Sequence, residues 1–379
     1  MHKIVARFEL TTPSFLGGMD PNNATDPLLL RGASLRGVLR FWWRAYMFSL
    51  LGQDLKKLHE YEDKLFGSSE KGTGRVQIVS VQTSSTMKRE LGKQFIEKKP
   101  GLKYLSYGAA NRQAIMAPLE FDLTVAIRSE PDDSVNKALM LMGTLGEIGA
   151  RSRRGWGSLS LLSLQENGHE IWRAPETVAD LATFWKTIAE ESLMLQTSLP
   201  SFTALSSRTR IYVLEEGKAL DLLNLVGTEF QRYRSFGLKG KLGNEDAEQN
   251  FKDDHDAMRR AAVEKEPPHS APKRTIFGLP HNYQFSSAKG AKLSITSSAQ
   301  RRASPLFFHI QKLGKRYAAV AAIIPATFLN EPTLTITMHP SEMVSARIES
   351  YYDVIEEFIT GQHRHSGTPR FPKEVCIWP

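Results

Sequence analysis

Apolar residues alternate with polar ones at Ile4, Ala6, Phe8 and Leu10, a period of two that predicts an opening strand with one buried face. A long loop from Thr12 to Gly32 follows. Ser34 then caps a helix to about Leu51, in which Leu35, Val38, Leu39, Trp42, Tyr46 and Leu50 recur at helical spacing. A second short helix ends near Phe66, and strand character returns over Arg75 to Thr83 and Leu119 to Ile127. Asp132 or Asp133 starts a helix that carries Val135, Ala138, Leu139, Met142 and Leu145 and ends near Ile148; Gly157 to Leu164 alternates as a closing strand. The order β-α-β-β-α-β predicts an α+β fold, with a ferredoxin-like (RRM-like) unit over residues 1–166.

Residues 167–205 read as a linker with one amphipathic helix, Thr177 to Leu195. From 206 to 379 the pattern predicts a second, degenerate ferredoxin-like unit. Its elements are a strand at Arg208 to Leu214, a helix from Lys218 to about Tyr233, strands at Leu293 to Thr296, Leu306 to Leu313 and Tyr317 to Ile324, and a helix from Ser341 to Ile359. Residues 237–275 form an insertion. The polar stretches Lys239 to Asn250, Lys265 to Lys273 and Gly361 to Pro369 are expected to be disordered.

The densest chemistry lies between the predicted helix and strand at 146–157, Gly-Glu-Ile-Gly-Ala-Arg-Ser-Arg-Arg-Gly-Trp-Gly. Gly146, Gly149, Gly155 and Gly157 let a backbone turn sharply and approach a ligand, Arg151, Arg153 and Arg154 match phosphate oxygens, and Trp156 offers a face for a nucleobase. The expectation is a polyanion cradle. Dinucleotide and P-loop sites run strand, glycines, helix; the reversed order here excludes both. A second basic group sits on the first helix, where Arg36, Arg40 and Arg44 recur every four residues behind Arg31 and Gly32, and Gly37 leaves room for a close approach. No acid occurs between Pro27 and Gln53, so a salt-bridged surface face is disfavoured and phosphate contact expected. Trp42 and Trp43, adjacent on a helix, are not both expected to face the core and read as packing residues at a seam.

Composition sharpens the choice of partner. The 379 residues hold 49 Lys+Arg against 41 Asp+Glu, a formal charge of +8. Between Pro267 and Asn330 there is no acid, while Lys273, Arg274, Lys289, Lys292, Arg301, Arg302, Lys312, Lys315 and Arg316 are all basic. Segregated positive charge fits a nucleic-acid partner, with Lys273, Arg274, His281, Arg301 and Arg302 as candidate contacts. Cys376 is the sole cysteine, which excludes a disulfide within the chain and a cysteine zinc site and fits a reducing cytoplasm. No apolar run is long enough to span a bilayer. The enzymatic alternative is an endoribonuclease built on Asp253, Asp254, His255 and Asp256, where carboxylates and a histidine could hold a metal or exchange protons.

The glycine-rich, arginine-bearing loop before the last strand of a ferredoxin-like unit resembles that of the RAMP superfamily of CRISPR systems. Similar motifs occur at Leu30-Arg-Gly-Ala-Ser-Leu-Arg-Gly-Val-Leu-Arg-Phe-Trp-Trp-Arg44, Leu65-Phe-Gly67, Phe277-Gly-Leu-Pro280 and Arg301-Arg-Ala-Ser-Pro-Leu306. Together they resemble the first-numbered RAMP subunit family of type III-B (Cmr) effector complexes, over residues 1 to about 325. Glu147 departs from the pattern, standing where the family often has a second small glycine. The resemblance implies a non-catalytic subunit of an antiviral ribonucleoprotein, needing no cofactor and no metal. Its partners would be the 3′ part of the guide RNA, the matching end of a single-stranded target RNA and other Cmr-type subunits. A structural adaptor docking on those subunits is the third alternative.

Overall fold

The structure, a computed structural model, describes residues 1–17, 30–192, 199, 202–268, 270–285, 288, 290–298, 301–329, 333–338, 342–347 and 351–378. Most of the loop expected between Thr12 and Gly32, and Lys289, lie outside them.

The first sheet is built around β1 (His2–Leu10), whose alternation buries Ile4, Ala6, Phe8 and Leu10 completely. β2 (Val76–Thr83), β3 (Leu119–Ile127), β4 (Leu159–Glu166) and β5 (His169–Arg173) complete it in the order β2-β3-β1-β4-β5, all antiparallel. Helices α1 (Gly32–Leu50) and α3 (Asp133–Leu145) pack on each other and on this sheet, and α2 (Leu55–Phe66) buttresses α1. The Asp132 carboxylate accepts the Ser134 N–H at 3.2 Å and so sets the start of α3. Ser34 does not cap α1: its own N–H already donates to the Arg31 carbonyl at 3.0 Å, inside the first turn. Trp42 and Trp43 are both buried, because α1 is covered on two sides. Trp42 meets Phe307 of the second half, while Trp43 packs on Phe66 and donates its Nε1–H to the Ser134 hydroxyl at 2.8 Å.

After α4 (Val178–Ser192), the second half opens with β6 (Arg210–Gly217), α5 (Ala219–Arg234) and α6 (Lys252–Val263). β7 (His281–Gln284) and β8 (Lys292–Thr296) follow, then β9 (Leu306–Leu313), β10 (Arg316–Ile323), β11 (Thr333–Met338), β12 (Glu342–Arg347), α7 (Tyr352–Thr360) and β13 (Val375–Cys376). One sheet runs β9-β10-β6-β13 and another β7-β8-β11-β12, both antiparallel. The helix expected from Ser341 to Ile359 is therefore corrected. Its first part is β12, held in register by β11 from Thr333↔Arg347 to Met338↔Glu342, and only Tyr352–Thr360 is helical. Leu293 to Thr296 likewise belongs to the third sheet rather than beside β9 and β10.

The exposed edge of β9 is covered by the first half. Thr11 donates its hydroxyl to the Ile310 carbonyl at 2.6 Å, and the Ile310 and Lys312 N–H groups donate to the hydroxyls of Ser158 and Ser160 at 3.1 and 2.8 Å. Glu9, 2% exposed, accepts from the Lys312 ammonium and from the Tyr317 hydroxyl. An edge strand that would otherwise invite other chains is thus paired by side chains across the seam.

Two stretches expected to be disordered are instead pinned. The fully buried Arg370 guanidinium bonds Glu229 at 3.2 Å and Glu248 at 2.6 Å, and His363 meets Glu248 at 3.0 Å. Burial alone would raise the Glu248 carboxyl, but hydrogen bonds from Arg370, His363 and Asn250 outweigh it and hold it down at about 2. This network ties residues 361–370 to the insertion around 241–250, where Lys241–Leu242 pairs with Glu245–Asp246. Among the described residues no helix is long and apolar enough to cross a membrane.

Candidate nucleic-acid interface

The glycine-rich loop is folded onto its own protein. Its carbonyls are taken by β1's following segment: Ser14 donates its hydroxyl to Ile148 O at 2.6 Å and Thr12 to Gly155 O at 2.7 Å, while Gly157 N–H donates to Pro13 O at 3.0 Å. Gly149, Gly155 and Gly157 have φ of 101°, 78° and 73°, in the left-handed region that favours glycine. A Cβ would strike Ser14 and Phe15 at Gly149, Leu223 at Gly155, and the Ile148 carbonyl at Gly157. These glycines admit neighbouring chain rather than ligand. Trp156 is corrected from a stacking face to a core residue: it is fully buried, edge-on to Phe15 at 5.2 Å and 6.0 Å from Phe95.

The three loop arginines diverge, so they do not form one cradle. Arg151 is exposed, at φ 62°, and donates to Tyr107 O on one flank. Arg153 reaches the other way, donating to Ser304 O and to Thr203 Oγ1 at 3.2 Å, 4.4 Å from the Phe307 ring centre. Arg154 turns into the second half, donating to Phe277 O at 3.0 Å and lying 4.7 Å from the Phe230 ring centre. Burial lowers the proton affinity of Arg153 and Arg154, with Arg302 and Arg234 respectively adding like-charge repulsion. Both are bound into the seam between the halves. Glu147 is buried beside them; desolvation raises its carboxyl well above the usual range, against the pull of Arg153, Arg154 and the Gly155 N–H.

The arginine stripe on α1 has a partner the local sequence does not show. Glu62 of α2, with a side chain 6% exposed, accepts from both Arg40 and Arg44, the latter through Nε at 2.9 Å. Arg36 donates to Phe66 O. The expected phosphate face is therefore partly a helix-docking face, although Arg36, Arg40 and Arg44 each keep a part-exposed guanidinium. Two cavities flank the start of this helix. One of about 530 Å³ is lined by Arg36, Arg40, Phe66, Gly67 and Gly72, the other of about 310 Å³ by Phe41, Trp42, Glu147, Ser152, Arg153 and Phe307. They share Gly37, which is exposed and whose missing Cβ would meet nothing within 4 Å. Arg31 stands at the head of the same helix, which has no acidic residue in its first turn. Basic side chains and an aromatic wall thus meet at Gly37.

The remaining candidates fall in two places. Arg302, which donates to Thr327 O at 2.9 Å, lies close enough to Arg153 to repel it, and Arg301 beside it is exposed. Lys273 is exposed and Arg274 half-buried, whereas His281 lies in the interior of the second half. The Asp253 to Asp256 cluster disperses. Asp254 accepts the backbone N–H groups of Lys273 and Arg274 at 3.0 and 2.9 Å, His255 stacks on Phe236 at 3.5 Å, Asp256 faces His255, and Asp253 is exposed. Among the described residues, no three His, Cys, Asp or Glu side chains are placed to hold a metal ion.

Residues 7–160 match the RAMP superfamily. Cmr subunit Cmr1-1 of Pyrococcus furiosus is 28% identical over 316 residues, which cover 79% of this chain and 81% of that protein. The crystal structure of Pyrococcus furiosus Cmr1 in its apo form superposes with a TM-score of 0.60 at 20% identity, covering 100% of this chain and 99% of that one. A chain of the type III-B Cmr-beta complex bound to cognate target RNA and AMPPnP gives a TM-score of 0.51 at 12% identity, covering 94% and 98%. These two superpositions establish the shared fold.

Proposed function

We propose that this protein is a RAMP superfamily member, the Cmr1-type subunit of a type III-B CRISPR effector complex, and binds single-stranded RNA without cleaving it. The similarity to Cmr1-1 along four-fifths of both chains carries this reading, and the groove at Gly37 supplies a place for the RNA. The solved relative whose complex holds cognate target RNA supports the choice of ligand. In this account phosphates are tracked by Arg31, Arg36, Arg40, Arg153, Arg301 and Arg302, while Arg151 and Lys273 extend the basic surface. Guide and target find each other by base pairing, so the protein needs only backbone recognition. The segment held is the 3′ part of the guide with the matching end of the target, next to other Cmr-type subunits in the cytoplasm, and no cofactor takes part.

Residues 1–166 and 206–379 serve in this reading as two degenerate ferredoxin-like units joined by 167–205. Both central sheets place the unit's strands in the same order, second, third, first, fourth, which supports that division. Asp254 is turned onto the Lys273 and Arg274 N–H groups and leaves only His255 and Asp256 paired, which supports a binder over a nuclease. Labelled single-stranded RNA is expected to bind and to stay intact in magnesium or manganese, and Asp253→Ala, His255→Ala and Asp256→Ala are expected to leave target cleavage by the assembled complex unchanged. Cutting by the isolated protein that vanishes in any of these variants would establish the endoribonuclease instead.

A further inference from the structure

The second half gathers partly buried cations among aromatic rings. Arg154 from the loop and Arg234 at the end of α5 lie 4.7 and 4.8 Å from the centre of the Phe230 ring, and Arg234 is also 4.9 Å from that of Phe277. Arg274 sits 5.4 Å from the Tyr283 ring, whose centre is 4.9 Å from that of His281. Some of their donors are satisfied: Arg154 bonds Phe277 O, and Arg234 donates to the Tyr104 hydroxyl at 3.0 Å. Others are not. Among the described residues, Arg154 Nη1, Arg234 Nε, Arg274 Nε, His281 Nε2 and the Tyr283 hydroxyl are all buried without a hydrogen-bond partner.

Five orphaned polar atoms in one neighbourhood are far from the native norm, in which buried polar groups are almost always paired. The acid that faces them is Asp254, and both its oxygens are already engaged by the Lys273 and Arg274 N–H groups. One carboxylate can balance only one of the three guanidinium charges. A polyvalent oxyanion would answer both deficits, because forked guanidinium groups match its oxygens and its charge balances theirs. We infer that Arg154, Arg234, Arg274, His281 and Tyr283 form a buried site for one phosphate-class oxyanion, supplied as free inorganic phosphate or as the terminal phosphate of an RNA. Only the second source rests on the proposed RNA function.

The test uses the full chain in chloride and in inorganic phosphate at matched ionic strength, followed by thermal unfolding and titration calorimetry. Phosphate is expected to bind and to raise the unfolding temperature. Tyr283→Phe, which keeps the ring and removes the hydroxyl, and Arg274→Met are expected to weaken phosphate at least about tenfold, the scale of a lost hydrogen bond to a charged group. In chloride Arg274→Met should unfold no earlier than the parent, since it removes a charge that repels Arg234, and Lys57→Gln on α2 should keep the full response. Displacement of inorganic phosphate by a phosphorylated oligoribonucleotide, and not by its unphosphorylated twin, assigns the source to RNA; displacement by neither assigns it to the free ion. No phosphate response in the parent, or an equal response in both site variants, overturns the site whether or not RNA binds elsewhere.

Discussion

Replacing Trp156 with Ala is expected to cost about 3–5 kcal/mol of stability, the range for emptying a large buried aromatic site, and to leave the RNA affinity of the folded protein within about twofold. The indole is enclosed by Phe15 and Phe95 and exposes no surface, so its loss opens a cavity at the centre of the loop. A stacked base would give the opposite pattern, with about 1–3 kcal/mol lost in binding and little in folding. Denaturant unfolding and RNA titration on the same preparation separate the two.

Gly157→Ala is expected to be nearly as damaging despite adding one methyl group. At φ 73° the new Cβ is strained and overlaps the Ile148 carbonyl, which also lies beside the Ile148 N–H to Gly157 O bond of 2.8 Å. The backbone must shift, and with it the bond from Gly157 N–H to Pro13, at a combined cost of about 3 kcal/mol. Gly168→Ala is the control, because Gly168 has φ 88° in a turn where a Cβ meets nothing. It should cost only about 1 kcal/mol. Equal losses at the two positions would mean that the left-handed backbone, rather than the closed loop, governs Gly157.

What was legible in the sequence was local. The alternation of β1 and β3, the Asp132 cap and the 3.6-residue spacing of α3 depend on neighbours within a turn or two, and the strand and helix boundaries there fall within a few residues of expectation. What was not legible depends on distant partners. Arg40 and Arg44 looked free because the acid that binds them, Glu62, lies on another helix. Trp156 looked presentable because Phe15 and Phe95 are remote in the chain. The third sheet is not legible because β8 finds its partner in β11 about forty residues on, and at the edge of the second sheet β13 has only two residues to announce it. Arg234 and Tyr283 carry no local signal for the same reason, since only the fold brings them against Arg154 and Arg274. Gly37 was legible as an opening, but the two cavities that meet there were not.

The most direct test of the groove is to fill it at Gly37. An added side chain there meets open space in the interior of a helix, where replacing glycine stabilises by roughly 0.5–1 kcal/mol. Gly37→Gln and Gly37→Glu should therefore unfold no earlier than the parent. Single-stranded RNA affinity, measured by fluorescence anisotropy from low to moderate salt, should fall at least about tenfold in Gly37→Gln and further in Gly37→Glu. The slope of log K against log salt should also flatten, by about 0.7 for each phosphate that the protein no longer neutralises. Undiminished affinity and an unchanged slope in both folded variants would contradict the account, because RNA would then be held somewhere other than the groove between α1 and the loop.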